Sequence, residues 1–408
     1  MTGAIMEQGQ HRQVRRRRVF YIPGYDPIHP RRYRELYRKE GAEQAAISGY
    51  ELSQSAKTGG GAYGWHVTAR IENVDTATDI EVLVWSDIVR ASMRQGILAT
   101  YLQLLRTAWA YIGSGALWRL MRLRKGPIIA ALYPVLMLLG QLGLALALAR
   151  GAGALLAFSA VPLAGWLGLA LVWPVLALFR SRDNRLFAYY LMHDFAYAAQ
   201  AGGANPPELE ARLRDFRAII RAALRDDVDE VLVVGHSSGA HLAVSILADM
   251  IRAGDVPASG PALSFLSLGQ VVPMVSFLPD ADRLRADLHY LSARQEITWI
   301  DVTAPGDGCA FALCDPVAVT GVAPRDQRWP LVISAAFTKT LSPKRWKALR
   351  WRFFRLHFQY LCAFDRPGDY DYFRITAGPL TLAVRFAGRQ PSRSRIAAPA
   401  SGHRSMAA

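Results

Sequence analysis

Two apolar runs limit what this chain can become. Pro127 to Ala149 covers 23 residues without Asp, Glu, Lys or Arg, and after Arg150 the stretch Gly151 to Phe179 covers 29 more. About 20 apolar residues in a helix cross the ~30 Å hydrocarbon core of a bilayer, whereas roughly 10–14 are typical of a buried helix in a soluble core. The runs therefore predict a transmembrane hairpin, with helices at about 127–149 and 154–179 and a turn at Arg150-Gly151-Ala152-Gly153. Arg119, Arg122, Arg124 and Lys125 precede the pair, and Arg180, Arg182 and Arg185 follow it. Basic flanks stay cytoplasmic, so both ends are expected on that side of the inner (cytoplasmic) membrane. A re-entrant hairpin would leave the same ends inside and stays open as an alternative. Neither run holds an ionisable residue, which suits an anchor better than a conduit.

A third apolar stretch, Gly96 to Leu117, has Arg106 near its centre. Burying that charge at mid-bilayer costs on the order of 2.5–3.5 kcal/mol, so an interfacial helix is expected, with Trp109, Tyr111 and Trp118 at headgroup level. The formal charge is 48 − 33 = +15, and much of the excess sits at the ends. Residues 1–17 read as a disordered basic arm and residues 388–408 as a disordered tail. Val19 to Ile22, stopped by Pro23-Gly24, is far too short for the apolar core of a secretory signal. The chain is 51% hydrophobic and 20% charged, which excludes a largely disordered protein. Cys309, Cys314 and Cys362 form no C-x-x-C pair, which argues against a disulfide scaffold or a zinc module and suits a reducing compartment.

Outside the hairpin, short β-branched and aromatic runs alternate with helical segments. Strands are expected at Val19–Ile22, Trp65–Ile71, Glu81–Trp85, Glu230–Val234, Leu263–Leu268, Ile297–Val302 and Leu331–Phe337. Helices are expected at Arg31–Ser48, Pro207–Leu224 and Ala240–Ile251. Such alternation predicts an α/β fold, a mostly parallel sheet with helices on both faces. It is split by the helical insertion into a first part, 18–88, and a second, 206–387, with 89–205 between them.

The most apolar strand runs directly into Gly235-His236-Ser237-Ser238-Gly239 and then a helix. G-x-S-x-G alone is a weak signal, but at a strand-to-helix turn it bends the backbone sharply and lifts one hydroxyl above the sheet edge. Here the chain resembles the α/β-hydrolase superfamily, whose nucleophile elbow has this form. The resemblance spans roughly residues 19–87 and 207–358, and it implies Ser237 as nucleophile, followed in chain order by an acid and then a histidine. His357 is the histidine this order selects, in a helical stretch Arg345–Leu361 where the family usually uses a loop; His403 lies in the tail. Asp307, in a Gly-flanked loop after Ile297–Val302, is the leading acid and Asp315 the runner-up. The oxyanion hole would use the Ser238 amide and a second amide from Gly24 or Tyr25, each worth typically about 2.7–4 kcal/mol to the transition state. Because the chain begins near the family's third strand, a trimmed sheet is expected.

Lys344, Arg345, Lys347, Arg350, Arg352 and Arg355 occur without an acid and are interleaved with Trp346, Trp351, Phe353 and Phe354. This composition suits an anionic lipid surface at roughly 1 kcal/mol per basic residue. It would also suit RNA, or a solvated helix with its aromatic face in the core; no nucleic-acid module accompanies it, so membrane lipids are the expected partner. The expected function is a membrane-anchored serine hydrolase cleaving an acyl ester, possessing a Ser-His-Asp triad and using no cofactor or metal. The alternative is an inactive hydrolase-like module tethered to the membrane for interactions.

Overall fold

Val231 to Val234 are wholly buried, so their strand must be covered on both faces, and it lies at the centre of an eight-stranded sheet. In this computed structural model residues 13–158 and 164–407 are described. The strands are β1 (Arg16–Ile22), β2 (Glu51–Ala56), β3 (Gly64–Ile71), β4 (Val74–Val82), β5 (Glu230–His236), β6 (Ala262–Leu268), β7 (Ile297–Thr303) and β8 (Leu331–Ser334). Their order is β2-β3-β4-β1-β5-β6-β7-β8, and β3 alone runs against the rest. The chain is therefore α/β with a mostly parallel sheet.

The helices used below are α1 (Arg31–Ser48), α2 (Ile97–Gly113), α3 (Lys125–Leu156), α4 (Val172–Ser181), α5 (Ala188–Ala199), α6 (Pro207–Ala223), α7 (Gly239–Arg252), α8 (Asp282–Ser292) and α9 (Phe353–His357). One face of the sheet packs on α6, α7 and α8. The other packs on α1 and on the segment from Leu356 to Phe386. At about 1.5–3 kcal/mol for each fully buried Val, Leu or Ile, these two layers supply the main drive to fold.

Several expectations need correction. The sheet is not trimmed, because a hairpin of β2 and β3 fills its edge. β4 lies at Val74–Val82 rather than Glu81–Trp85, since Glu72 and Asn73 both have positive φ and close a two-residue turn from β3. Residues 13–17 are not part of a loose arm. Arg17 is buried, donates to Glu230 at 2.6 Å, and donates to the carbonyls of Gly378 and Leu380. The rest of that arm, 1–12, lies outside the described residues.

The C-terminal segment is likewise docked rather than floppy. The Ile396 amide donates to Leu313, the Ala400 amide to Val319, and Ser401 is buried. The expected turn at 150–153 lies inside α3, which continues to Leu156. Gly153 is there for close approach: a Cβ on it would come within 2.4 Å of the Gly165 carbonyl oxygen. The second apolar run gives a shorter helical segment, Gly165–Ser181, and α3 is the one described helix long and apolar enough to cross a membrane. Residues 159–163 of that run lie outside the described residues.

Candidate active site

Where β5 hands over to α7 the chain has almost no room. A Cβ at Gly235 would meet Ala240 at 2.7 Å, and one at Gly239 would meet the Ile22 carbonyl oxygen at 2.1 Å. Between them Ser237 adopts φ +57°, a left-handed conformation that costs a non-glycine residue roughly 1–3 kcal/mol. Its amide donates to Leu268 at 2.9 Å, which ties the corner to β6. Gly24, after β1, packs directly on it: a Cβ there would lie 2.8 Å from the Ser237 Cβ and 3.3 Å from its Oγ.

The Pro23–Tyr25 loop is held by its carbonyls. The Trp85 indole donates to Pro23 at 2.9 Å and the Tyr190 hydroxyl to Tyr25 at 2.5 Å. Among the described residues, the amides of Gly24, Tyr25 and Ser238 donate to no protein acceptor. A developing oxyanion next to Ser237 would meet fixed, unused donors.

His357 and Asp307 meet although 50 residues separate them. His357 Nδ1 lies 2.7 Å from Asp307 Oδ2, with both side chains buried. The carboxylate also accepts from the Tyr360 hydroxyl at 3.0 Å and, through Oδ1, from the Cys309 amide at 2.9 Å. Burial alone would raise the pKa of Asp307, but His357 and these donors hold its carboxyl below the usual range, so it stays ionised. Its charge fixes the proton on Nδ1 and leaves Nε2 as the basic nitrogen. That Nε2 is buried and has no partner among the described residues. His357 lines a cavity of about 100 Å³ whose wall also contains Ser237, Ser238, Gly24 and Tyr25.

Asp315 is not in this group. It caps the N-terminus of Pro316–Thr320, accepting from the amides of Val317 and Ala318 at 3.1 Å. His403, in the docked C-terminal segment, is bonded to the Ser114 carbonyl at 3.3 Å. The expected helix Arg345–Leu361 is broken at Arg350–Arg352, and His357 ends the five-residue α9. Arg345 turns inward to Glu40, Glu43 and Asp365. Trp346 covers Gly306 in the acid's loop, whereas Trp351 is 72% exposed.

Sequence reasoning overlooked His236, the residue before Ser237. Its Nε2 is 3.0 Å from the His357 carbonyl oxygen and its Nδ1 is 3.3 Å from the Tyr21 hydroxyl. Burial, with His357 nearby, pushes its pKa down to about 3, so the ring is neutral and Nε2–H donates. It thereby pins the backbone that carries His357. An x position of G-x-S-x-G gives no signal of such a role. Asp194 on α5 was also overlooked: it lines the cavity, and burial pushes its carboxyl up to about 7.

The rest of the wall mixes apolar side chains, including Pro127, Ala130, Leu191, Phe195, Met274 and Phe354, with Asp26, Tyr190 and His241. Pro127 and Ala130 belong to the first turns of α3, whose Gly126 packs against Gly308 of the acid's loop. Asp307, Cys309 and His357 each offer a donor atom within 4.8 Å of the others. This set fits a metal poorly: an ion would have to compete with the His357–Asp307 bond, and burial pushes the Cys309 thiol well above its usual pKa, away from the thiolate a metal needs.

No known family model, no curated protein and no solved structure matches this chain. What the site can do has to be argued from its own atoms. An unused imidazole nitrogen, backed by a buried carboxylate, shares a cavity with a serine hydroxyl and three free amides; this is equipment for moving a hydroxyl proton and stabilising an oxyanion.

Proposed function

We propose that the protein is a serine hydrolase of the α/β-hydrolase type that cleaves acyl esters at a membrane. The observation that carries this reading is the pairing of a strained Ser237 with the free Nε2 of an Asp307-backed His357 in one cavity. Oγ of Ser237 attacks the ester carbonyl while His357 Nε2 takes its proton. The tetrahedral oxyanion is met by the Ser238 amide and by that of Gly24 or Tyr25. His357 returns the proton to the leaving alcohol, and water then releases the acyl group by the same route. Asp307 stays ionised throughout and stabilises the imidazolium. Catalytic hydrogen bonds are often unformed before substrate binds, so an unoccupied Nε2 suits the resting site.

The membrane part of the proposal rests on α3. Among its most apolar 18 residues only 28% are buried, and Leu136 is 67% exposed. Contiguous apolar surface of that kind belongs against lipid or another partner. Exposed Trp109 and Trp351 suit the headgroup layer, with the catalytic part in the cytoplasm. Because α3 begins at the cavity wall, an acyl chain leaving the bilayer would reach Ser237 along it.

The direct test is hydrolysis of a short-chain aryl ester by the purified full-length protein in detergent. Turnover lost in both Ser237→Ala and His357→Ala is the expected result. Turnover that survives Ser237→Ala would remove the reading, and none in any form would leave the tethered, inactive module.

A further inference from the structure

Beside the cavity that holds Ser237 lies a second one of about 30 Å³. The two share Tyr25, Asp194, Ala198, Ser238, His241 and Val275 in their walls, so they abut. Polar groups without partners gather at this junction. His241 Nδ1 and the Tyr197 hydroxyl are buried and, among the described residues, bonded to nothing. Among the described residues the Asp194 carboxyl likewise accepts no hydrogen bond. Folded interiors pair nearly all such groups, with protein, water or ligand.

The chemistry of these groups narrows what can pair with them. Among the described residues no Lys or Arg lines either cavity, and a carboxyl stands between them, so a phosphate or a free carboxylate finds no counter-charge there. Burial keeps His241 neutral, pushing it down to about 4, and brings Asp194 up to about 7. A neutral imidazole, a phenol and a carboxyl near its midpoint can all donate or accept, which matches a hydroxyl group, itself donor and acceptor. The small cavity has room for about two water-sized groups, enough for a hydroxymethyl.

We infer that Asp194, Tyr197 and His241 form a hydroxyl-recognising subsite, and that the substrates are neutral acyl esters carrying a free hydroxyl in their alcohol or acyl part. This rests on the acyl-transfer reading above and narrows it. The recognition residues come from α5 and α7, so specificity is set partly by the inserted segment and partly by the helix that follows Ser237.

The test compares kcat/KM for glyceryl monobutyrate, ethyl 3-hydroxybutyrate and ethyl butyrate, using the full-length protein in detergent. At least one hydroxylated ester should be preferred over ethyl butyrate by roughly tenfold, as expected for a hydrogen-bonded group at a partly charged site. Preference for the first assigns the hydroxyl to the leaving alcohol, and preference for the second to the acyl chain. In Tyr197→Phe, and independently in Asp194→Asn, that ratio should fall several-fold, whatever happens to the absolute rates. Using a ratio in two variants guards against one that folds poorly. Equal turnover of all three esters, or a ratio unmoved in both variants, overturns the subsite while leaving the hydrolase intact. Hydrolysis of none by the parent protein overturns the acyl-transfer reading, and the subsite with it.

Discussion

α7 and α3 are both apolar helices, yet they have opposite relations to their surroundings. In α7, 11 of the 14 residues are buried, and it presses the Ser237 corner against the sheet. In α3, Ile128, Leu138, Ala145, Ala149 and Gly153 face the protein while leucines on the far side stand free. Hydrophobicity alone does not separate these helices; the number of faces that find a protein partner does. The packed side fixes the Ser237 corner in place. The unpacked side, on our reading, holds that site at a bilayer.

The largest effect should come from the packed side. Asp307→Asn keeps the shape but removes the charge that orients His357, and kcat should fall about 10⁴-fold, or roughly 5.5 kcal/mol. Asp315→Asn instead should leave kcat nearly intact, so ester kinetics on the two variants separates them. Next come matched lysines. Leu247→Lys puts a charge at a wholly buried position of α7 and should cost about 4 kcal/mol or more, seen as loss of folded protein. Leu136→Lys on the exposed face of α3 should fold in detergent and lose on the order of 2.5–3.5 kcal/mol of membrane partitioning in a flotation assay. If both lysines were tolerated alike in lipid and detergent, the contrast between the helices would fail.

A smaller effect is expected at His236. His236→Leu leaves the His357 carbonyl without its donor, and kcat should drop about tenfold with KM little changed, because only the positioning of the base is disturbed. The smallest is a slope. Burial raises the Asp301 carboxyl to about 8, with Oδ1 accepting from Ser267 at 2.6 Å and Oδ2 unpartnered among the described residues. Between its unfolded value near 4 and about 8 the folded state holds a proton that the unfolded state has lost. This group's contribution to stability is therefore fully present below pH ~4 and lost as pH rises toward 8. In Asp301→Asn that decline should be absent from denaturant midpoints measured across this range.

The central strand β5 was legible because both its faces are buried and Val231 to Val234 is an unbroken run of Val and Leu. β2, Glu51–Ala56, was not: it is an edge strand with polar residues facing water. The glycines near residue 151 suggest a turn, whereas Gly153 and Gly165 serve close packing of α3 on its neighbour, and spacing alone does not distinguish these uses. Arg17 among its neighbouring arginines gives no hint that it alone is buried on Glu230. At the site, the G-x-S-x-G turn pointed to Ser237, and the order implied by the resemblance pointed to His357 with Asp307 or Asp315; only the folded chain brings Asp307 to His357 and leaves Asp315 as a helix cap. Asp194, Tyr197 and His236 were invisible because their significance lies in what surrounds them in three dimensions.

The central claim, that Ser237 is a nucleophile activated by His357, is tested most directly by reacting the native protein with a fluorophosphonate and mapping the adduct by mass spectrometry. The account predicts a single adduct on Ser237, formed at a rate that collapses in His357→Ala. Modification elsewhere, or none in folded protein, would contradict it.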